Sequence, residues 1–383
     1  MVILKIETNQ AGQRLDKFLG KYLPEAPAGF FYKMLRKKNI TLNDKKAEGR
    51  EILKQNDRVT FWLADETILK FGGYVPGSDE RIEPACASGP GGQIQSQIQP
   101  VRASGQDRDE IYRLAYKQLQ DIPVLYEDDH VLILDKPAGI LTQQAKPGDL
   151  SLNEWMIGYL LDTGAINSQE LRLFKPSVCN RLDRNTSGLV LCGKSLPGSQ
   201  ALSELIRRRG VRKFYRTICV GILRADADNA GLTLQGYLQK DSRTNRVRVT
   251  GQGPGDYIHT VCRPLRYGSL STDLPQKPLY FTELEVELIT GKPHQIRAHL
   301  ASAGHPLVGD CKYGKAQVNG VFKQRFDLQW QLLHACRLEF PDLDGPLTAL
   351  GGTNVQAPLP ACFTSIQAEL KPFIPYDKGG EHK

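Results

Sequence analysis

The chain has 383 residues, 40% of them hydrophobic and 24% charged, with a net charge of +8 and a pI near 9.0. That is an ordinary globular composition, long enough for two or three domains and a sizeable core. No apolar run reaches the roughly 20 residues of a membrane span. The N-terminal MVILKIE is too short and too charged for a secretory signal, so a cytoplasmic protein is expected.

Residues 1–70 read as a small independent module. Over 13–23, Leu15, Phe18, Leu19 and Tyr22 recur at helical spacing, with Asp16, Lys17 and Lys21 opposite. A second helix is expected over 29–38, with Phe31, Met34 and Leu35 inward. Short strands are expected at 40–42 and 59–62, with a turn at Asn43 and Asp44. Residues 1–70 hold 14 Lys and Arg against 9 Asp and Glu, a net +5 that is most of the charge of the whole protein. The cations Lys33, Arg36, Lys37 and Lys38 make either a solvated helix face or a phosphate-binding one.

Residues 71–110 are rich in Gly, Pro, Ser and Gln and predict a flexible linker. The stretch 111–119 predicts a short helix leading into a larger domain over 111–370, and 371–383 predicts a tail without core character. Strands are expected at 124–126 and 131–134, followed by the turn DKPAG at 135–139 and a helix at 152–161. In the run NRLDRNTSGLVL (180–191), a charged cluster leads straight into the apolar strand 188–192. A carboxylate held there needs a paired cation or hydrogen bonds. The run 198–209 predicts a helix stopped at Gly210, and 213–220 a strand with Tyr215 opposite Phe214 and Ile218. The basic run 239–250 predicts a hairpin or exposed edge, and 279–289 a long strand. The run 294–303 predicts a helix on which His294 and Arg297 lie three apart, and 331–340 a last strand. His294, His299 and His334 are expected to be structural histidines, and Lys136 a turn residue. Eight scattered cysteines form no CxxC pair, which argues against a zinc site and against a disulfide framework. No P-loop, dinucleotide fingerprint or metal-ligand spacing occurs.

Three separated motifs now resemble one family, the RluA-type pseudouridine synthases: NRLDRNTSGLVL, the basic strand RKFYRTICVG, and TGKPHQIRAHLASAGHPLVGDCKYG followed by LLHACRLEF. DKPAG is similar to an early motif of that family, and the match runs from about 120 to 345. RLDKFL, KMLRKKNITLN and the closing QNDRV of the first module resemble the S-four RNA-binding domain. Asn180 departs from the usual His, and Lys292-Pro293 from the usual Arg-Thr.

The resemblance implies an α+β catalytic domain with a large mixed, mostly antiparallel sheet, preceded by a small α/β S-four-like module. It implies isomerisation of uridine to pseudouridine within RNA, with large-subunit ribosomal RNA as the partner, no cofactor, no metal, no membrane and a monomeric chain. The family's catalytic aspartate falls on Asp183, its active-site tyrosine on Tyr215 and its arginine on Arg297. Arg181, Asn180, Arg184 and Lys213 are expected at the substrate, and Lys33, Arg36 and Lys37 on the RNA-facing helix. A carboxylate suits the chemistry as a nucleophile at the sugar or as a base toward it. Arg297 would keep that carboxylate ionised, and Tyr215 would stack on uracil or accept a proton. An RNA-binding protein without catalysis would lack this trio. An enzyme of free nucleosides would carry a second catalytic carboxylate and no S-four-like module.

Overall fold

The computed structural model describes residues 1–75, 105–119, 122–225, 231–241, 246–272 and 278–375. The expected linker lies outside the described residues at 76–104, and the expected tail from 376 onward. The chain divides into two compact units. One is Met1–Gln118, Glu154–Ser177 and Lys194–Ser199, and the other is Leu119–Asn153, Val178–Gly193 and Gln200–Lys383. No described helix is long and apolar enough to cross a membrane.

The first unit begins with a four-stranded antiparallel sheet in the order Val2–Lys5, Arg58–Phe61, Ile40–Leu42, Lys45–Lys46. The two-residue turn at Asn43 and Asp44 has positive φ at both positions (48° and 63°), the twist that closes a tight hairpin. Asn43 secures it, its Oδ1 accepting the Arg58 N–H at 2.8 Å. Helices Leu15–Tyr22 and Ala28–Arg36 bury Leu15, Phe18, Leu19 and Tyr22, and Phe31, Met34 and Leu35, in one core. Their inward faces are those the spacing predicts. The helix expected at 111–119 begins earlier, as Gly105–Gln118. In the same unit Tyr116 packs on Trp155 and Tyr159. Gly158 allows the close approach, since a Cβ there would meet the Tyr112 carbonyl oxygen at 2.2 Å.

The second unit is built on a twelve-stranded mixed sheet. Its main path runs Arg246–Thr250, Leu232–Asp241, Asp256–Leu270, Leu279–Leu288, Arg212–Val220, Leu333–Glu339, Ser187–Gly193, Val131–Lys136, Val124–Glu127. Its named strands pair antiparallel except Leu333–Glu339 with Ser187–Gly193. The basic hairpin expected at 239–250 forms the edge, and its residues 242–245 lie outside the described residues. Leu333–Glu339 is not the last strand: Asn354–Gln356 and Lys371–Pro372 follow and pair onto the sheet. Arg212–Val220 buries both faces from Phe214 onward except Arg216, because it lies mid-sheet between Leu279–Leu288 and Leu333–Glu339.

Ser187–Gly193 is buried at every position. Leu189 and Leu191 join Val131, Ile133, Leu202, Leu205, Leu338 and Phe340 in one core. Gly188 has φ +110°, and a Cβ there would lie 2.2 Å from the Ala335 carbonyl oxygen. Only glycine fits that parallel crossing, which sets the register Ala335 to Gly188. The charged run before it is thereby tethered to an interior strand of the sheet.

Candidate active site

Asp183 sits in the turn that enters Ser187–Gly193, where Thr186 N–H closes on the Asp183 carbonyl at 3.0 Å. Hydrogen bonds tie the turn down at several residues. Thr142 Oγ1 donates to Leu182 O at 2.8 Å and accepts the Leu182 N–H at 3.2 Å. Gly139 N–H donates to Arg184 O, and Arg184 Nε donates back to Gly139 O, each at 2.9 Å. Asn180 Oδ1 accepts the Leu191 N–H at 2.7 Å. Lys136 Nζ donates to the carbonyls of Pro137, Ile140 and Arg184 at 2.9, 2.9 and 3.0 Å. Lys136 is fully buried, and burial pulls its amine down to about 7 against the pull of Asp183 and Asp135. Three carbonyls match its three N–H donors, so it locks the DKPAG turn to the Asp183 turn. Lys136 was expected in the turn; it is instead the last residue of the Val131–Lys136 strand, and its amine clamps the turn that follows.

Arg297, on the Gln295–Ser302 helix, donates from Nη1 to Asp183 Oδ2 at 2.9 Å, so residues 114 apart in sequence meet. Its Nε and Nη2 donate to Asp310 Oδ2 and Oδ1 at 2.7 and 2.9 Å. One guanidinium therefore bridges two carboxylates, bidentate to Asp310 and single to Asp183. Asp310 is wholly buried and Arg297 5% exposed, while 28% of the Asp183 side chain reaches the surface. Burial alone would raise the Asp310 carboxyl. The guanidinium and the N–H groups of Lys312 and Tyr313 outweigh it and hold Asp310 below the usual range. Burial would likewise lower Arg297, and the two carboxylates more than reverse it.

Tyr215 is 6% exposed, and burial, then the charge of Asp183, raises its phenol. The ring of Tyr313 lies under the Arg297 guanidinium, 5.3 Å from carbon to centroid. His294 caps the Arg297 helix in the left-handed region, φ 56° and ψ 14°. Its Nε2 lies 3.9 Å from Asp183 Oδ2, and its Nδ1 is 3.0 Å from Tyr313 Oη. His294 therefore stands beside Asp183 while also occupying the capping position of the Arg297 helix. His299 and His334 are buried, and each bonds a hydroxyl through Nδ1, to Thr260 and Ser187 respectively.

Asp183 and Arg297 are therefore joined by a hydrogen bond, and Tyr215 lies near enough for the charge of Asp183 to act on its phenol. Arg181 and Arg184 are exposed, Asn180 serves the turn backbone, and Lys213 is half-buried at the start of the Tyr215 strand. Lys33, Arg36 and Lys37 are exposed on the Ala28–Arg36 helix and its C-terminal end, in the first unit. Asp310 and Tyr313 lie at the end of the third motif, which assigned them no role, and the spacing of His294 to Arg297 was the local signal for the histidine. An apolar cavity of about 400 Å³ walled in part by Lys136, Ala138, Trp330 and Leu332 is not lined by Asp183, Arg297 or Tyr215. Among the described residues, no three His, Cys, Asp or Glu side chains group so as to hold a metal ion.

Residues 130–302 match the RNA pseudouridylate synthase family. The ribosomal large subunit pseudouridine synthase C of Escherichia coli (strain K12) is 26% identical over 347 residues, covering 88% of this chain and 88% of the relative. The protein of the same description from Vibrio vulnificus (strain CMCP6) is 26% identical over 344 residues, with the same coverage. Among solved structures, human RNA pseudouridylate synthase domain containing 4 aligns with 70% of this chain and 99% of its own, with a TM-score of 0.50 and 19% identity. That likeness is one of fold.

Proposed function

We propose that the chain is a pseudouridine synthase of the RluA type, as its match to that family and its relatives support, and that it isomerises uridines of large-subunit ribosomal RNA with Asp183 as its one catalytic carboxylate. The observation that carries the proposal is the Asp183–Arg297–Asp310 bridge. Arg297 is committed to Asp310 by two bonds and to Asp183 by one. Asp183 is held through Oδ2, and in this proposal Oδ1 is the reacting oxygen. The relatives' descriptions support ribosomal RNA as the substrate.

The reaction breaks the bond from C1′ to N1, turns the uracil, joins C1′ to C5, moves the C5 proton off and puts one on N1. All atoms stay within one nucleotide, so the proposed chemistry needs no cofactor. Asp183 Oδ1 acts as nucleophile at C1′ or as base toward the sugar. Tyr215 offers a face to the uracil and a phenol oxygen as acceptor for the C5 proton. The target base must leave its stack, at a cost on the order of a few kcal/mol, offset by basic contacts to the backbone. Exposed Lys33, Arg36 and Lys37 of the S-four-like module supply such contacts in this proposal.

The test incubates the full chain with large-subunit, small-subunit and transfer RNA transcripts and maps pseudouridine chemically. Modification confined to large-subunit RNA, and lost in Asp183→Ala with RNA affinity kept, is the expected result. Modification by Asp183→Ala, or none by wild type on any transcript, refutes the proposal.

A further inference from the structure

His294 occupies a backbone region that non-glycine residues enter rarely, immediately before the helix that carries Arg297. Its ring is also held. The Val247 N–H donates to Tyr313 Oη at 2.9 Å, taking one of the phenol's acceptor positions. The same phenol contacts His294 Nδ1 at 3.0 Å, and with the imidazole in its Nε2–H tautomer the phenol is the donor of that bond. A neutral imidazole that accepts at Nδ1 carries its proton at Nε2. Nε2 is the nitrogen that faces Asp183 Oδ2, at 3.9 Å. That gap is too long for a hydrogen bond, so the donor is not spent on the carboxylate. Burial, and the neighbouring Arg297 and Lys312 cations, lower the His294 pKa and outweigh the pull of Asp183 and Asp310, so the ring is neutral at neutral pH. Asp183 Oδ2 is occupied by Arg297, and in the proposed chemistry Oδ1 is the reacting oxygen.

We propose that His294 is a further substrate-contacting residue, donating its Nε2–H to an oxygen beside C1′ of the bound uridine, and that Tyr313 sets the tautomer that makes this donor. The proposal rests on Asp183 being the group that faces that C1′. Two oxygens there share the acceptor chemistry, O2 of the base and the ribose 2′ oxygen. A donor on O2 would steady the electron pair that the breaking bond leaves on the uracil, and a donor on the 2′ oxygen would read ribose.

Two measurements test it. The first is single-turnover modification of a large-subunit transcript carrying uridine, 2-thiouridine or 2′-deoxyuridine at the modified position. His294→Asn retains a residue that tolerates the left-handed backbone, so a purely conformational role predicts the wild-type rate. The proposal instead expects a loss of about 100- to 1,000-fold with RNA affinity unchanged. It also expects that one analogue, which slows the wild type, slows His294→Asn no further. That analogue names the acceptor. Wild-type speed in His294→Asn, or full additional loss on both analogues, overturns the contact.

The second reads the imidazole nitrogen shifts in histidine-labelled full-length protein near neutral pH, without RNA. A neutral Nε2–H form that mixes with the other tautomer in Tyr313→Phe is expected. An Nδ1–H form or an imidazolium in the wild type overturns the proposal. A wild type that modifies no transcript would refute the substrate assignment alone, and the nitrogen shifts decide the tautomer independently.

Discussion

Replacing Arg297 by lysine keeps the positive charge and removes the fork. Arg297 makes three charge-assisted bonds, two to Asp310 and one to Asp183. A single ammonium serves one carboxylate. Asp310, with none of its side chain exposed, costs more to leave unpaired than Asp183 at 28%, so the lysine settles on Asp310. The catalytic carboxylate then loses its cation. At roughly 1.5–3 kcal/mol per bond to a charged group, that loss slows modification by about 10- to 150-fold. One of the two Asp310 bonds is lost as well, so stability falls by roughly 3 kcal/mol and the melting temperature by about 6–12 °C. The assay pairs single-turnover pseudouridine formation at a temperature where the variant is folded with a thermal melt. Wild-type turnover in folded Arg297→Lys would refute the dependence of Asp183 on a bridging guanidinium.

Three further outcomes follow from the same geometry. Gly188→Ala forces a Cβ against the Ala335 carbonyl at φ +110° and should cost about 3 kcal/mol, read as a lowered urea midpoint, whereas an unchanged midpoint would deny the close crossing. Lys136→Met removes the donor from three carbonyls and should cost roughly 3 kcal/mol while slowing modification through a loosened Asp183 turn; unaltered turnover would show that the clamp is dispensable. His299 and His334 are pushed by burial down to about 4, below their ordinary 6.5. Between those values the unfolded chain takes up protons that the folded one refuses, so stability is full above about pH 6.5 and falls as pH drops toward 4, by roughly 1–3 kcal/mol per histidine. Urea midpoints that do not fall between neutral pH and about pH 5, or a slope that His299→Gln leaves as steep, would contradict this.

The helix faces of the first unit and most strands of the second were legible because their apolar spacing matches what they bury. Asp256–Leu270 was not. Its alternation of Ile258, Thr260 and Cys262 breaks at Pro264, where the pairing with Leu279–Leu288 shifts register. A proline and a bulge inside one run, with residues 263–267 only partly buried or exposed, hide a long strand from a period-two search. Ala316–Phe326 was missed because only Val318 and Phe322 of its eleven residues are buried. Asp183, Tyr215 and Arg297 were legible because each sits in an extended motif. Asp310, Tyr313 and His294 lie in the same motif as Arg297 but drew no role from it, since an aspartate after glycine, a tyrosine before glycine and a helix-capping histidine each have an ordinary local use. Only the fold turns them toward the guanidinium and the carboxylate.

The central claim is that one oxygen of Asp183 reacts while the other is held. Asp183→Asn tests it most directly, because the amide keeps the size and an acceptor for Arg297 and removes the reactive charge. In single-turnover reactions with a large-subunit ribosomal RNA transcript, the account predicts no detectable pseudouridine from this variant, with RNA affinity and melting temperature close to wild type. Pseudouridine formed by Asp183→Asn at a rate near that of the wild type would contradict it.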